Sequence, residues 1–265
     1  MPQNDEAYAN SDFIPGGAAY PDHWARAAAA FRSEALSRDR ARLGLRYGPK
    51  PRNAFDLFLP EADPTGLVVL IHGGYWVGFG CEDFSHLARG CTGAGRAVAL
   101  PSYTLAPEAT IPQITAEIAR AVTAAAGLVA GPVSVTGHSA GGHLAARMLC
   151  TDVPLPVRDR LSACVPVSPL SDLRPLIETS MNVDLRLVAE TAGAESPALA
   201  AEVAPVPTTV RVGSAERPAF LEQARALVAA WPQARLQVAE ARHHFDVIEA
   251  YEESGSSLVA ALTGG

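Results

Sequence analysis

The sequence predicts a single α/β domain built on a mostly parallel sheet of eight strands, with helices on both faces. Three observations carry that prediction. A pair of alternating segments early in the chain is followed by repeated strand-helix units. Residues Gly66 to His72 form a continuous apolar run, which suits a central strand covered on both faces. Gly137-His138-Ser139-Ala140-Gly141 then lies between a β-branched strand and an apolar helix. The length of 265 residues is ordinary for one large α/β domain, and 48% hydrophobic content is enough for a sizeable core. Residues 1–265 are therefore expected to form one domain.

Residues 1–20 are polar, carry Pro15 and Gly16-Gly17, and read as an irregular N-terminal arm. A helix rich in alanine and arginine is expected from Pro21 through about Ser37. Arg42–Gly48 and Ala54–Pro60 alternate around Pro49, Pro51 and Asn53, as the two arms of an antiparallel hairpin do. Further strands are expected at 96–100, 132–136, 163–167, 208–212 and 235–239. Helical spacing appears at 88–92, 114–128, 143–149 and 218–231, with a last helix from about Val247. Residues 168–206 break the alternation with short helical pieces, prolines and glycine. They are expected to form a cap-like insertion over the carboxyl ends of the strands, where ligands bind in open parallel sheets.

Composition narrows the partners. A net charge of −7, with no lysine- or arginine-rich block to offset it, argues against nucleic acid or an anionic membrane. No apolar run reaches the length of a membrane span, and Met1 to Glu6 lack the basic end and apolar stretch of a signal peptide, so a cytoplasmic location is expected. The four cysteines, Cys81, Cys91, Cys150 and Cys164, show neither C-x-x-C pairing nor zinc spacing. They read as reduced thiols, and no metal or cofactor is expected. The sequence is compatible with a homodimer but does not set the oligomeric state.

The chemistry centres on Ser139. In a G-x-S-x-G elbow a sharp strand-to-helix turn lifts the serine above the sheet, and the amide of Ala140 faces a developing oxyanion at the helix N-terminus. His72-Gly73-Gly74-Tyr75-Trp76, directly after the most apolar strand, is placed to supply further amides from Gly73 or Gly74. A base is expected after the last strand, at His243 or His244. His244 is preferred because Phe245-Asp246 follows it and strand alternation points His243 away. Nucleophile-acid-base order puts the acid after strand 208–212, where Glu216 is the carboxylate of the turn; Asp172, after the preceding strand, is the rival. Asp246 reads instead as the N-cap of the last helix, with Glu249 completing a capping box.

Taken together, HGGYW, GHSAGGH, Tyr103–Ala109, Asp172–Leu176 and His244–Val247 resemble the α/β-hydrolase kynurenine formamidases, or arylformamidases. The similarity runs from about Tyr8 to the end. It implies an α/β-hydrolase fold and hydrolysis of N-formyl-L-kynurenine to L-kynurenine and formate in tryptophan breakdown, without metal or cofactor. It also implies Ser139 as nucleophile, His244 as base and Glu216 as acid, with oxyanion donors at Gly73 or Gly74 and Ala140. Two departures stand out: many relatives carry aspartate where this chain has Glu216, and a different polar residue at His243. Tyr75 and Trp76 are expected to exclude long acyl chains and stack on the aniline, and Asp172 to meet the substrate's ammonium. The rival readings are a short-acyl carboxylesterase using the same residues, and a ligand-binding homologue without activity.

Overall fold

The computed structural model describes residues 2–264 and contains all eight expected strands, each within two residues of its expected bounds. They are β1 (Ala41–Arg46), β2 (Ala54–Phe58), β3 (Leu67–Ile71), β4 (Ala97–Pro101), β5 (Val133–His138), β6 (Leu161–Val167), β7 (Thr208–Gly213) and β8 (Ala234–Ala239). They form one sheet in the order β1-β2-β4-β3-β5-β6-β7-β8. Pairings β1/β2 and β2/β4 are antiparallel and the other five are parallel. The helices are α1 (Asp5–Tyr8), α2 (Tyr20–Ser37), α3 (Arg89–Gly93), α4 (Ile111–Ala126), α5 (Ala140–Arg147), α6 (Asn182–Leu185), α7 (Ala189–Ala194), α8 (Pro218–Ala230) and α9 (Ser257–Thr263).

Strand β3 shows why the sheet is covered twice. All five of its residues are buried, and side chains alternate between faces at the two-residue period of a strand. Leu67, Val69 and Ile71 join a core with Ile114, Ile118 and Val122 of α4, Leu144 of α5, and Phe220 and Leu227 of α8. Val68 and Leu70 face the other way, into a core with Trp24 and Phe31 of α2, Cys91 of α3, and Leu258 and Leu262 of α9. The edge strand β8 keeps Leu236 and Val238 partly open to solvent, as a strand with one free side does. Among the described residues no helix is long and apolar enough to cross a membrane.

Three expectations are corrected by the coordinates. The arm is not irregular throughout: it holds α1 and two short 3₁₀ turns, and its Tyr8 is buried in the core. Residues 168–206, by contrast, hold the short helical pieces expected of them, 3₁₀ turns at Arg174–Glu178 and Pro197–Leu199 around α6 and α7. The last helix does not start at Val247. A 3₁₀ segment, Val247–Glu252, comes first, and α9 begins after Ser256, whose hydroxyl accepts from Val259 N at 3.2 Å. Asp246 does not cap a helix and Glu249 completes no capping box. The Asp246 Oδ1 accepts from His243 N at 2.7 Å, and Arg242 draws both carboxylates to itself, at 3.3 Å for Asp246 and 2.8 Å for Glu249.

Candidate active site

Ser139 sits where β5 turns into α5, with φ 56° and ψ −117°, a conformation that L residues rarely adopt. Strand β5 imposes it from one side and α5 from the other, and Ser139 N is tied to Val167 O of β6 at 2.8 Å. The turn has room only because it is glycine-lined: a Cβ at Gly141 would lie 2.0 Å from Ile71 O. Held this way, the serine side chain lines a cavity of about 500 Å³ together with His244.

His244 and Glu216 come from the loops after β8 and β7. The imidazole Nδ1 lies 2.7 Å from Glu216 Oε2, and the Glu216 side chain is fully buried. Its other oxygen accepts from Gly213 N at 2.8 Å and from the Ser168 hydroxyl. The carboxylate is thus fixed by three donors, the imidazole among them, and it fixes the ring that faces the cavity. Among the described residues no hydrogen bond joins the Ser139 hydroxyl to the imidazole, although both line the cavity. The histidines beside it are engaged elsewhere. His243 points away, with Nε2 3.2 Å from the Tyr20 hydroxyl and Nδ1 accepting from Phe245 N and Asp246 N. His138 packs its ring 4.5 Å from that of His244, and burial, reinforced by His244, holds its pKa well below the usual value, so it stays neutral.

The loop after β3 brings backbone amides to the same place. A Cβ on Gly73 would lie 2.9 Å from His138 O and 3.3 Å from Ser139 Cβ, so the glycine lets this loop pass against the elbow. Buried His72 orders it: the ring stacks on Tyr103 at 4.3 Å, burial lowers its pKa to about 4, and its Nδ1 donates to Gly73 O at 2.8 Å. Because a trans peptide carries its C=O and N–H on opposite sides, that bond turns the Gly74 N–H away from His72. Among the described residues the amides of Gly73, Gly74 and Ala140 donate to no protein acceptor. They are free donors beside Ser139, the arrangement that stabilises an oxyanion.

Two of the expected substrate contacts are corrected. Trp76 is fully buried beneath the loop, edge-on to His143 at 5.1 Å, and does not line the cavity; Tyr75 does, its hydroxyl donating to Tyr8 O at 2.6 Å. Asp172 lies outside the cavity lining, its carboxylate held by Arg174 at 2.7 and 3.0 Å. Among the described residues its carboxylate makes no hydrogen bond to His244 or Ser139, and the carboxylate that reaches His244 is that of Glu216. In their place the cavity is walled by Trp24, Phe79, Phe84 and Phe245, by Asp5, Tyr8 and Asn10 of the arm, and by Ser180 and Met181 of the 168–206 segment. Sequence reasoning did not find these residues, since the arm carries no motif and the aromatics fall in three separate segments. Among the described residues no three His, Cys, Asp or Glu side chains are grouped to hold a metal ion.

The chain and its fold have counterparts among known proteins. A family described as the alpha/beta hydrolase fold matches residues 68–244. A kynurenine formamidase from Danio rerio is 28% identical over 82% of this chain and 78% of its own length. A solved protein from Silicibacter sp. TM1040, given a provisional description as a thioesterase, is 51% identical with TM-score 0.96 over 99% of this chain and all of its own. An esterase from the archaeon Pyrobaculum calidifontis shares the fold at TM-score 0.68 and 19% identity, over 92% of each chain.

Proposed function

The chain belongs to the α/β-hydrolase family, and from that premise we propose that it is a serine hydrolase that removes the formyl group of N-formyl-L-kynurenine or a close aryl formamide. One observation carries the catalytic part of the reading: a buried Glu216–His244 pair shares a cavity with a serine held at positive φ beside unpaired loop amides. Substrate binding draws the Ser139 hydroxyl onto His244 Nε2. As His244 takes the proton, the serine oxygen attacks the formyl carbon, and the negative oxygen that forms is met by amides of Gly73 or Gly74 and Ala140. Glu216 holds the imidazole in the tautomer that can accept that proton and stabilises the imidazolium. The imidazolium then protonates the aniline nitrogen as the C–N bond breaks, leaving a formyl ester on Ser139. Water, deprotonated by His244, releases formate and restores the serine.

The aryl part rests on the cavity walls. Trp24, Phe79, Phe84 and Phe245 pack against one another at 5.3–6.0 Å between centroids, an apolar box suited to an aniline ring. The similarity to kynurenine formamidase supports the formyl part. A short-acyl esterase or thioesterase would use the same machinery, and the provisional description of the Silicibacter protein keeps that alternative in the test. The experiment is kcat/KM for N-formyl-L-kynurenine against p-nitrophenyl acetate and acetyl-CoA. The formamide is expected to lead; a strong preference for either acetyl compound ends the formamidase reading. Fluorophosphonate labelling that survives Ser139→Ala would reject the nucleophile.

A further inference from the structure

We propose that the N-terminal arm reads the far end of the leaving group by charge, through Asp5, so that the site accepts neutral and ammonium-bearing aryl substrates and rejects anionic ones. The identity of the leaving group rests on the formamidase reading; the charge rule itself does not.

Among the described residues Asp5 is the one carboxylate that lines the cavity, and no lysine or arginine lines it. Asp5 belongs to α1, and its Oδ1 accepts from Ser180 N at 2.6 Å, which pins the side chain at the junction of the arm and the 168–206 segment. Its second oxygen remains available. Close by in the same wall, Asn10 is only 7% exposed, and its Oδ1 has no hydrogen-bond partner. Both groups ask for a donor. The aromatic box adds to this, since ring faces attract cations and repel anions.

Cations near the cavity are engaged outside its lining, although Arg217 keeps a buried Nε without a partner. Arg217 lies over the Phe13 ring at 3.7 Å and donates to Glu6 O at 3.0 Å; Arg52 donates to Tyr103 O at 2.7 Å and to Phe79 O. Arg174 is bound to Asp172, and the chain's single lysine, Lys50, is paired with Glu117 at 3.0 Å. A substrate carboxylate entering this cavity would lose water and find no positive partner, which is costly. A multiply charged acyl thioester would face the same penalty within a protein of net charge −7. An amino-acid side chain would be bound by its ammonium, with its carboxylate left at the solvent mouth.

The test uses ortho-formamidophenyl ketones that differ only at the chain end: the full amino acid, the amine lacking the carboxylate, the acid lacking the ammonium, and a neutral methyl ketone. The amine is expected to match or exceed the amino acid in kcat/KM, and both to exceed the acid by about tenfold or more. Asp5→Asn keeps an acceptor for Ser180 N but loses the charge, and should lower the amine-to-neutral ratio about three- to tenfold. An acid turned over as well as the amine, or a ratio unmoved in Asp5→Asn, overturns the proposal. If the protein cleaves phenyl acetates with the same chain ends but none of the formamides, the formamidase reading fails, and the ester series decides the charge rule by the same ratios. If it cleaves neither, benzylammonium and benzoate binding to Ser139→Ala, followed by tryptophan fluorescence, decides it: tighter benzoate refutes the rule.

Discussion

Replacing Glu216 by glutamine exchanges one oxygen for an NH₂ group, yet the structure assigns that atom a large effect. Glu216 Oε1 is held by Gly213 N and the Ser168 hydroxyl, both donors, so the amide oxygen of a glutamine must take that position. The NH₂ then faces His244 Nδ1 across the present 2.7 Å contact. Two donors cannot share it, so the ring must place its proton on Nε2, where it can no longer receive one from Ser139. The same exchange in a serine protease triad costs about 10⁴ in kcat, and a loss of about 10³–10⁴ is expected here, or ~4–5.5 kcal/mol of transition-state stabilisation. The assay is kcat/KM on the best acyl substrate, with active-site titration and circular dichroism to show intact folding. Asp172→Asn is the companion variant, and because Asp172 is tied to Arg174 outside the cavity it should change kcat by less than about twofold. A Glu216→Gln enzyme retaining more than a tenth of its activity, or an Asp172→Asn enzyme equally damaged, would refute the assignment.

Gly73→Ala drives a Cβ against His138 O and Ser139 Cβ, and displacing the loop amides should cost about 10²–10³ in kcat; near-normal turnover would show that the oxyanion is met elsewhere. Tyr75→Phe removes the bond to Tyr8 O that fastens the arm across the cavity, so KM should rise several-fold with kcat little changed, and a pure kcat loss would instead put the phenol in the chemistry. Stability should fall in mild acid. Burial lowers the pKa of His72 and His86 to about 4 and of His143 to about 3, so the folded protein keeps these rings neutral while the unfolded chain protonates them below about 6.5. The stabilisation is complete above that pH and is lost as pH falls from 6.5 towards 4, at up to about 1.4 kcal/mol per pH unit for each ring. Urea midpoints at several pH values read this out, and His86→Gln, a position that does not line the cavity, should flatten the slope by one ring's share.

The sheet was legible because each strand announces itself locally, and Leu67–Ile71 could hardly be anything but a central strand. The positions of Ser139, His244 and Glu216 were legible for a related reason. Each lies just past the carboxyl end of a strand, so finding the strands and their order already locates the three loops. Trp76 was misplaced because alternation says nothing once the chain leaves β3: Tyr75 and Trp76 both have positive φ, and that twist, rather than a two-residue period, decides which ring meets the cavity. Asp246 was misread because a cap depends on where the carboxylate is pulled, and Arg242 outcompetes the helix end for it.

The arm was the least legible part, and the reason bears on how such sites diversify. Asp5, Tyr8 and Asn10 have no helical or strand period, and their positions come from contacts far along the chain: Gln223 to Tyr8, Ser180 to Asp5, Tyr75 to Tyr8. Bonds between residues 67 to 215 positions apart leave no local trace. On the proposed mechanism Ser139 and His244 are confined by the sheet, because a shift of about 1 Å at either would be enough to slow the chemistry. Among the described residues, positions 5–10 make no hydrogen bond to Ser139, Glu216 or His244, and reach the Glu216 loop through Arg217 alone, so substitutions there alter the cavity wall while the elbow and the Glu216–His244 pair stay where β5, β7 and β8 put them. Selectivity should therefore move by changes at residues 5–10 with kcat on a neutral substrate preserved, and a chimera carrying a foreign arm that altered kcat and KM together would show that the two halves of the site are not separable.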